Sequence, residues 1–332
     1  MIVPIALAKT SPLENSKNDF ITSVLKNIDT VLRLYNDIEK LKKENNPLSL
    51  KEKYTLLSKL LPHTDHAALT IAAFPDREIT SYVNFDSIKD TITKPILVRG
   101  IASSRYMDFA KSKGLDYYFI ETGYFGNYVS EGNPQAKKVW HRIVKNSMQH
   151  ETVLNVPDDR WRTLCNLDSR LIWPGWKKTG SKILLVAPID KSAGHYGYTK
   201  ESWVAETISK IKNYTDREIV VREKLSRPDR TFKKTIYQAM DEDIFAVVTL
   251  NSIAATEAIA YGIPAFTTAP TSAKAVSLND LSKIETPYYP DEEFVHKWTS
   301  SLAYGQFNFE EMLTGNAWRT VLENEQRKTI SY

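Results

Sequence analysis

The segment Val247 to Phe266 constrains this chain more than any other. Phe245–Leu250 is a run of six apolar or β-branched residues that passes directly into Asn251-Ser252. Such a run, bounded by turn-forming residues, reads as a strand buried on both faces. Ile253–Tyr261 then reads as a helix, with Asn251 or Ser252 as its N-cap. Gly262 suits a left-handed C-cap, and Pro264 just beyond it cannot continue the helix. A further short apolar run starts at Ala265. Strand, turn, helix and strand in this order form the repeating unit of a parallel sheet, in which ligands bind at the carboxyl ends of the strands. Asn251-Ser252 therefore falls where a ligand would sit. The free N–H groups and positive end of the helix would attract a diphosphate. Glu257, one to two turns in, would receive the two hydroxyls of a ribose. The same residues would also serve as a plain cap with a solvated glutamate.

The rest of the chain repeats the strand–helix alternation. Ile2–Ala8 is apolar. Asn18–Lys43 has helical spacing, and Leu50–Leu61 reads as a second helix with Ser49 as N-cap. Ala67–Phe74, Pro95–Arg99 and Asp116–Ile120 are strand candidates, with the helix-like Ser103–Lys113 among them. Residues 171–181, with one Pro and two Gly, read as a linker. Beyond it come strands at Lys182–Pro188, Glu218–Arg222, Ile244–Leu250 and Ala265–Thr268, and helices at Lys200–Asn213, Thr231–Met240 and Ala254–Tyr261. Asp190–Tyr198 reads as a Gly-containing polar loop at the same sheet edge as Asn251. Lys191, Ser192 and His195 are its candidates for holding phosphate.

Composition excludes several classes. The chain has 332 residues, enough for two cores, and no apolar run approaches the roughly 20 residues of a membrane span. The opening residues lack a basic region before the apolar run, so a buried strand is expected there rather than a signal peptide. One cysteine, Cys165, excludes an internal disulfide and fits a reducing cytoplasm. The six His show no HxxxH spacing, so no zinc site is expected. The net charge of +4 lies in residues 1–170, with 24 Lys+Arg against 20 Asp+Glu; residues 171–332 carry 20 of each. An anionic partner for the first half is one reading of that surplus, and solubility is the other.

The string Thr249-Leu-Asn-Ser-Ile-Ala-Ala-Thr-Glu-Ala-Ile-Ala-Tyr-Gly-Ile-Pro-Ala265 resembles the nucleotide-binding signature of GT-B glycosyltransferases and related UDP-sugar epimerases. It is most similar to the capsular-polysaccharide-transferase branch, which includes phage enzymes that glycosylate 5-hydroxymethylpyrimidines in DNA. The tail Trp298–Trp318 resembles that branch's C-terminal segment, while the first half matches only in layout. The resemblance implies an α/β GT-B fold, two Rossmann-like doubly wound domains facing a cleft. Residues 1–170 would bind the acceptor and 182–290 the nucleotide sugar, with a helical tail, 291–332, packing back on the first domain. It implies a UDP-sugar as co-substrate, no tightly bound cofactor and no required metal. Arg222 and Lys224 would face the diphosphate and offset the charge growing on the leaving nucleotide.

An inverting enzyme of this kind needs a general base. Glu121, placed just after the strand Asp116–Ile120, is the first candidate, and Asp76 is its rival. For the acceptor, Lys137, Lys138, Trp140, His141, Arg142 and Lys145 mix cations with an aromatic, as a DNA-contacting surface would. Tyr124 and Phe125 would hold or replace a flipped base. The expected function is hexose transfer from a UDP-sugar to 5-hydroxymethylpyrimidine in double-stranded DNA. The alternatives are a capsule or surface-polysaccharide glycosyltransferase and a non-catalytic nucleotide-sugar- or nucleic-acid-binding protein. An epimerase fits less well, because its cleft carboxylates and histidines are not evident.

Overall fold

The computed structural model describes residues 3–4, 90, 92–93, 95–99, 104–126, 140–224, 235–308, 311–312 and 316–331. The expected helices 18–43 and 50–61, the strand 67–74 and the start of the helix 231–240 lie outside the described residues.

The first part contains β1 (Val3–Pro4), β2 (Ile96–Arg99), α1 (Ser104–Ser112), β3 (Tyr117–Thr122), β4 (His141–Lys145), β5 (Val153–Leu154) and α2 (Asp159–Leu167). A second run follows: β6 (Lys182–Val186), α3 (Asp190–His195), α4 (Lys200–Lys212), β7 (Glu218–Arg222), α5 (Ile236–Met240), β8 (Ile244–Thr249), α6 (Ala254–Ala260) and β9 (Ala265–Thr267). The tail holds α7 (Glu292–Tyr304), β10 (Gln306–Phe307), α8 (Asn316–Glu325) and β11 (Thr329–Ile330). The chain is thus α/β, as its alternating pattern predicts.

The second sheet is fully parallel, in the order β7-β6-β8-β9. Its central strand β8 is buried at every position, which is why it reads as a continuous apolar run. Helices α5 and α6 cover one face, where Tyr237, Met240, Ala255, Ala258 and Ile259 pack on Leu184 and Val247. Helix α4 covers the other, with Trp203 and Ile211 on Ile183, Leu185 and Val248. Each such Val, Leu or Ile contributes about 1.5–3 kcal/mol by leaving water. The capping boxes Thr199/Ser202 and Thr235/Gln238 start α4 and α5.

The first sheet runs β1-β2-β3-β4-β10. Its first two pairings are parallel, and β3–β4 and β4–β10 are antiparallel. The tail therefore supplies the edge strand beside β4, and β11 pairs with β5. Trp298 of α7 is buried, and its indole Nε1 donates to the Ser272 carbonyl at 2.7 Å.

Two local expectations change. The strand expected at Asp116–Ile120 runs Tyr117–Thr122, so Glu121 lies within it. The loop expected at Asp190–Tyr198 begins as helix α3, because Ser192 and Ala193 are buried and their N–H groups turn back to Ile189 O. Residues 171–181 are fastened at several points. Trp176 Nε1 donates to Pro290 O at 2.7 Å, and Lys177 N donates to Gly262 O at 2.7 Å. Gly262 has φ +81°, and a Cβ there would run into the Gly175 carbonyl oxygen. Its absence of a side chain serves the turn and the close passage of this segment together.

Candidate functional site

The strand order β7-β6-β8-β9 reverses at β6, so the carboxyl ends of β6 and β8 border the crevice where doubly wound sheets bind ligands. The residues there are tied to one another. Ser192 Oγ, on α3, donates to Asn251 Oδ1 at 2.6 Å. Thr249 Oγ1 donates to Val186 O at 3.2 Å and accepts from Ser252 N at 3.4 Å, joining the two strand ends. Burial raises the pKa of the Tyr196 hydroxyl, while its hydrogen bond with Asn251 pulls the other way. Ile253, rather than Asn251 or Ser252, occupies the N-cap position of α6. Asn251 has committed its amide oxygen to Ser192, and Ser252 Oγ instead accepts from Ala254 N at 3.2 Å. The helix that follows has seven residues.

Glu257, Arg222 and Lys224 form the second part of the site. Glu257 is half-buried, and crowding by protein pushes its pKa up to about 8 against the pull of Arg222, Arg170 and Lys224. Burial lowers the pKa of the Arg222 guanidinium, and the carboxylates of Glu257 and Glu242 raise it. β7 is an edge strand whose alternation turns Arg222 to the same face as Val220, which packs beside α5 and α6. Lys191, exposed, and His195, half-buried and edge-on to Tyr196 at 4.9 Å, share the short helix α3 with Ser192. An anionic group entering beside Glu257 would meet Arg222 and Lys224, a pair that can stabilise charge developing on a departing diphosphate.

Three neighbours of this site escape sequence reasoning. Arg170 grips the Asp168 carboxylate at 2.9 and 3.0 Å and lies over the Tyr237 ring at 4.8 Å. Tyr237 is buried beside Glu257, and burial raises its hydroxyl well above the usual range. Gln149 comes from the first part of the chain and reaches the Asn251 carbonyl. None belongs to a local motif; sequence distance hid all three.

The acceptor-side expectations fare differently. Glu121 turns its carboxylate back on Thr122, accepting from that residue's N–H at 2.9 Å and hydroxyl at 3.1 Å. Asp76, Lys137 and Lys138 lie outside the described residues. Tyr124 and Phe125 do not form an exposed base-holding loop: each is 1% exposed and packed in the main core. Tyr124 Oη bonds His150 Nδ1 at 2.9 Å, and Phe125 stacks edge-on with Trp161. His141 and Arg142 are buried in β4. Arg142 donates to the carbonyls of Thr122 and Met148 and lies over the Phe119 and Tyr124 rings. Trp140 is half-buried against Gly123 and Gly126. Lys145 bridges Asp116 at 2.9 Å and Glu325 at 2.8 Å. Among the described residues of the stretch expected to contact DNA, His141 and Arg142 are therefore core strand and Lys145 is paired charge. Arg142 and Lys145 look free in sequence because their partners are the Thr122 and Met148 carbonyls, Asp116 and a tail glutamate.

Among the described residues no group of three His, Cys, Asp or Glu is placed to hold a metal, and no helix is long and apolar enough to cross a membrane.

No protein-family model matches this chain, and neither does any curated protein sequence. Two solved structures from Thermosulfurimonas dismutans are similar in shape. The KpsC beta Kdo 2,4 transferase has 11% identity and a TM-score of 0.40 over 62% of this chain and 78% of that one. The KpsC beta Kdo 2,7 transferase has 11% identity and a TM-score of 0.48 over 77% of this chain and 97% of that one. Likeness this slight does not bear on what the chain binds or catalyses.

Proposed function

We propose that this chain is a GT-B glycosyltransferase that moves a hexose from a UDP-sugar to a hydroxyl acceptor. The observation that carries the reading is the assembly at the β6/β8 crevice. Ser192, Asn251 and Ser252 line the strand ends, while Arg222 and Lys224 flank the Glu257 carboxyl. In this reading the cations and the polar crevice hold the diphosphate, and Glu257 takes the ribose hydroxyls. Arg222 and Lys224 then stabilise the UDP that departs as the acceptor oxygen forms its bond to the anomeric carbon.

For the acceptor we favour a glycan of the capsule or surface type over DNA. Tyr124, Phe125, His141 and Arg142 are buried and Lys145 is paired, so these side chains are not presented to a DNA duplex. Glu121, with Asp76 as its rival, is our candidate for the general base that takes the proton of the acceptor hydroxyl.

The test is incubation with a panel of radiolabelled UDP-sugars and three acceptors: oligosaccharides, hydroxymethylated DNA and unmodified DNA. Label in an oligosaccharide is the expected result. Label in hydroxymethylated DNA alone would restore the DNA reading. Binding of UDP-sugar with transfer to no acceptor would mark a non-catalytic binding protein, and absence of binding would remove the donor assignment.

A further inference from the structure

Gln149 is a single buried side chain that ties together two turns of the second sheet. It is 5% exposed and uses both ends of its amide. Its Nε2 donates to the Asn251 carbonyl at 2.6 Å. Its Oε1 accepts from Ser272 N at 3.0 Å, Ser272 Oγ at 2.9 Å and Thr271 Oγ1 at 3.3 Å. One side chain from the segment after β4 therefore joins the turn that follows β8 to the turn that follows β9.

Those turns carry different loads. The first contains Asn251, which receives the Ser192 hydroxyl, and Ser252, which opens α6. The second is fixed from below. Ser272 Oγ lies 2.7 Å from Thr256 Oγ1 of α6, and Ser272 O accepts from Trp298 of the tail. Two residues beyond Gln149, the Glu151 carboxylate pairs with Lys274 at 3.1 Å. The segment 149–151 is thus held to the 271–274 turn at two independent points. Only Gln149 also reaches the crevice.

We infer that Gln149 is a positioning residue for the donor crevice, setting the Asn251 backbone so that its side chain stays aimed at Ser192. This rests on the donor reading above. The inference adds that residues of the first part of the chain determine the shape of the nucleotide-sugar site in the second. An unsupported turn would swing Asn251 away from Ser192 and spread the polar groups at the crevice mouth. Misplaced groups bind a ligand weakly even though every one of them is present.

Three substitutions divide the role. Gln149→Glu keeps the shape and the acceptor oxygen toward Ser272, but opposes an oxygen to the Asn251 carbonyl. Ser272→Ala removes both contacts of the Ser272 hydroxyl, to Gln149 Oε1 and to Thr256 Oγ1, at the far end of the same network, and leaves the Gln149–Asn251 bond in place. Calorimetric titration with UDP-glucose and a thermal melt are run on each variant and on the wild type. Gln149→Glu is expected to bind about tenfold more weakly, the scale of one mispaired buried hydrogen bond. Ser272→Ala is expected to bind within about twofold of wild type, and Gln149→Asn to remain as weak as Gln149→Glu because it is too short to span both turns.

Wild-type affinity in a cooperatively melting Gln149→Glu protein overturns the inference. An equal loss in Ser272→Ala also overturns it, since the network would then be general support. Failure of the wild type to bind any UDP-sugar removes the donor reading itself, and the positioning role with it. If the Gln149 variants do not fold, hydrogen exchange on the wild type decides. UDP is expected to protect the amides of 251–253 and 271–273 together, and protection of the first set alone overturns the coupling.

Discussion

Glu257 and His150 are two half-buried titratable groups whose displaced pKa values change stability in opposite directions with pH. For Glu257, burial raises the value from 4.5 to about 8. Between those two limits the unfolded chain has released the proton and the folded chain still holds it, so stability falls as pH rises through that window. For His150, burial, with a further push from Arg142, lowers the value from 6.5 to about 4. There the unfolded chain takes up a proton that the folded chain refuses, so stability is lost as pH falls from 6.5 toward about 4. Thermal melts across this range test both. Glu257→Gln is expected to flatten the decline between pH 4.5 and about 8, and an unaltered slope would show that Glu257 titrates normally. In UDP binding, Glu257→Ala should weaken affinity about tenfold or more through the lost ribose contact, while an unchanged value would remove the ribose assignment.

At the scale of elements, two joints carry much of the organisation. Gly262 ends α6 at φ +81° with the Gly175 carbonyl against the site of a Cβ. Gly262→Ala is expected to cost about 1–3 kcal/mol in urea unfolding, from the left-handed backbone and the close passage together. Gln306 in β10 is fully buried, and its Oε1 accepts from the N–H groups of both Tyr124 (2.7 Å) and Phe125 (3.0 Å). Gln306→Leu leaves two buried donors unanswered and should cost more than about 2 kcal/mol by the same measurement. A loss below that would mean water enters to replace the amide. The tail is thus an edge strand and an acceptor for the aromatic turn after β3, which is why that turn is interior rather than an exposed loop.

Across the whole molecule, Gln149, the Glu151–Lys274 pair and the Trp298–Ser272 bond join the first sheet and tail to the second sheet. Calorimetry and tryptophan fluorescence are expected to report coincident unfolding, and two separated transitions would show the ties to be weak. The second sheet was legible from sequence because its signals are local. Fully buried parallel strands such as β6 and β8 read as unbroken apolar runs, and capping residues mark α4 and α5 within four positions. The crevice residues Ser192, Asn251 and Ser252 followed from that, since strand ends of a parallel sheet share one edge. The first half was not legible in the same way. His-Arg-Ile-Val-Lys in β4 looks like exposed charge until Arg142 meets the Thr122 and Met148 carbonyls and Lys145 meets Glu325, 180 residues away. Tyr124 and Phe125 look like a contact loop until Gln306 arrives to accept their N–H groups. The order of residues alone determined the alternating α/β pattern and the strand edge that gathers Ser192, Asn251 and Ser252. Tertiary structure decided which polar groups are spent inside the protein, because those partners come from segments distant in the chain.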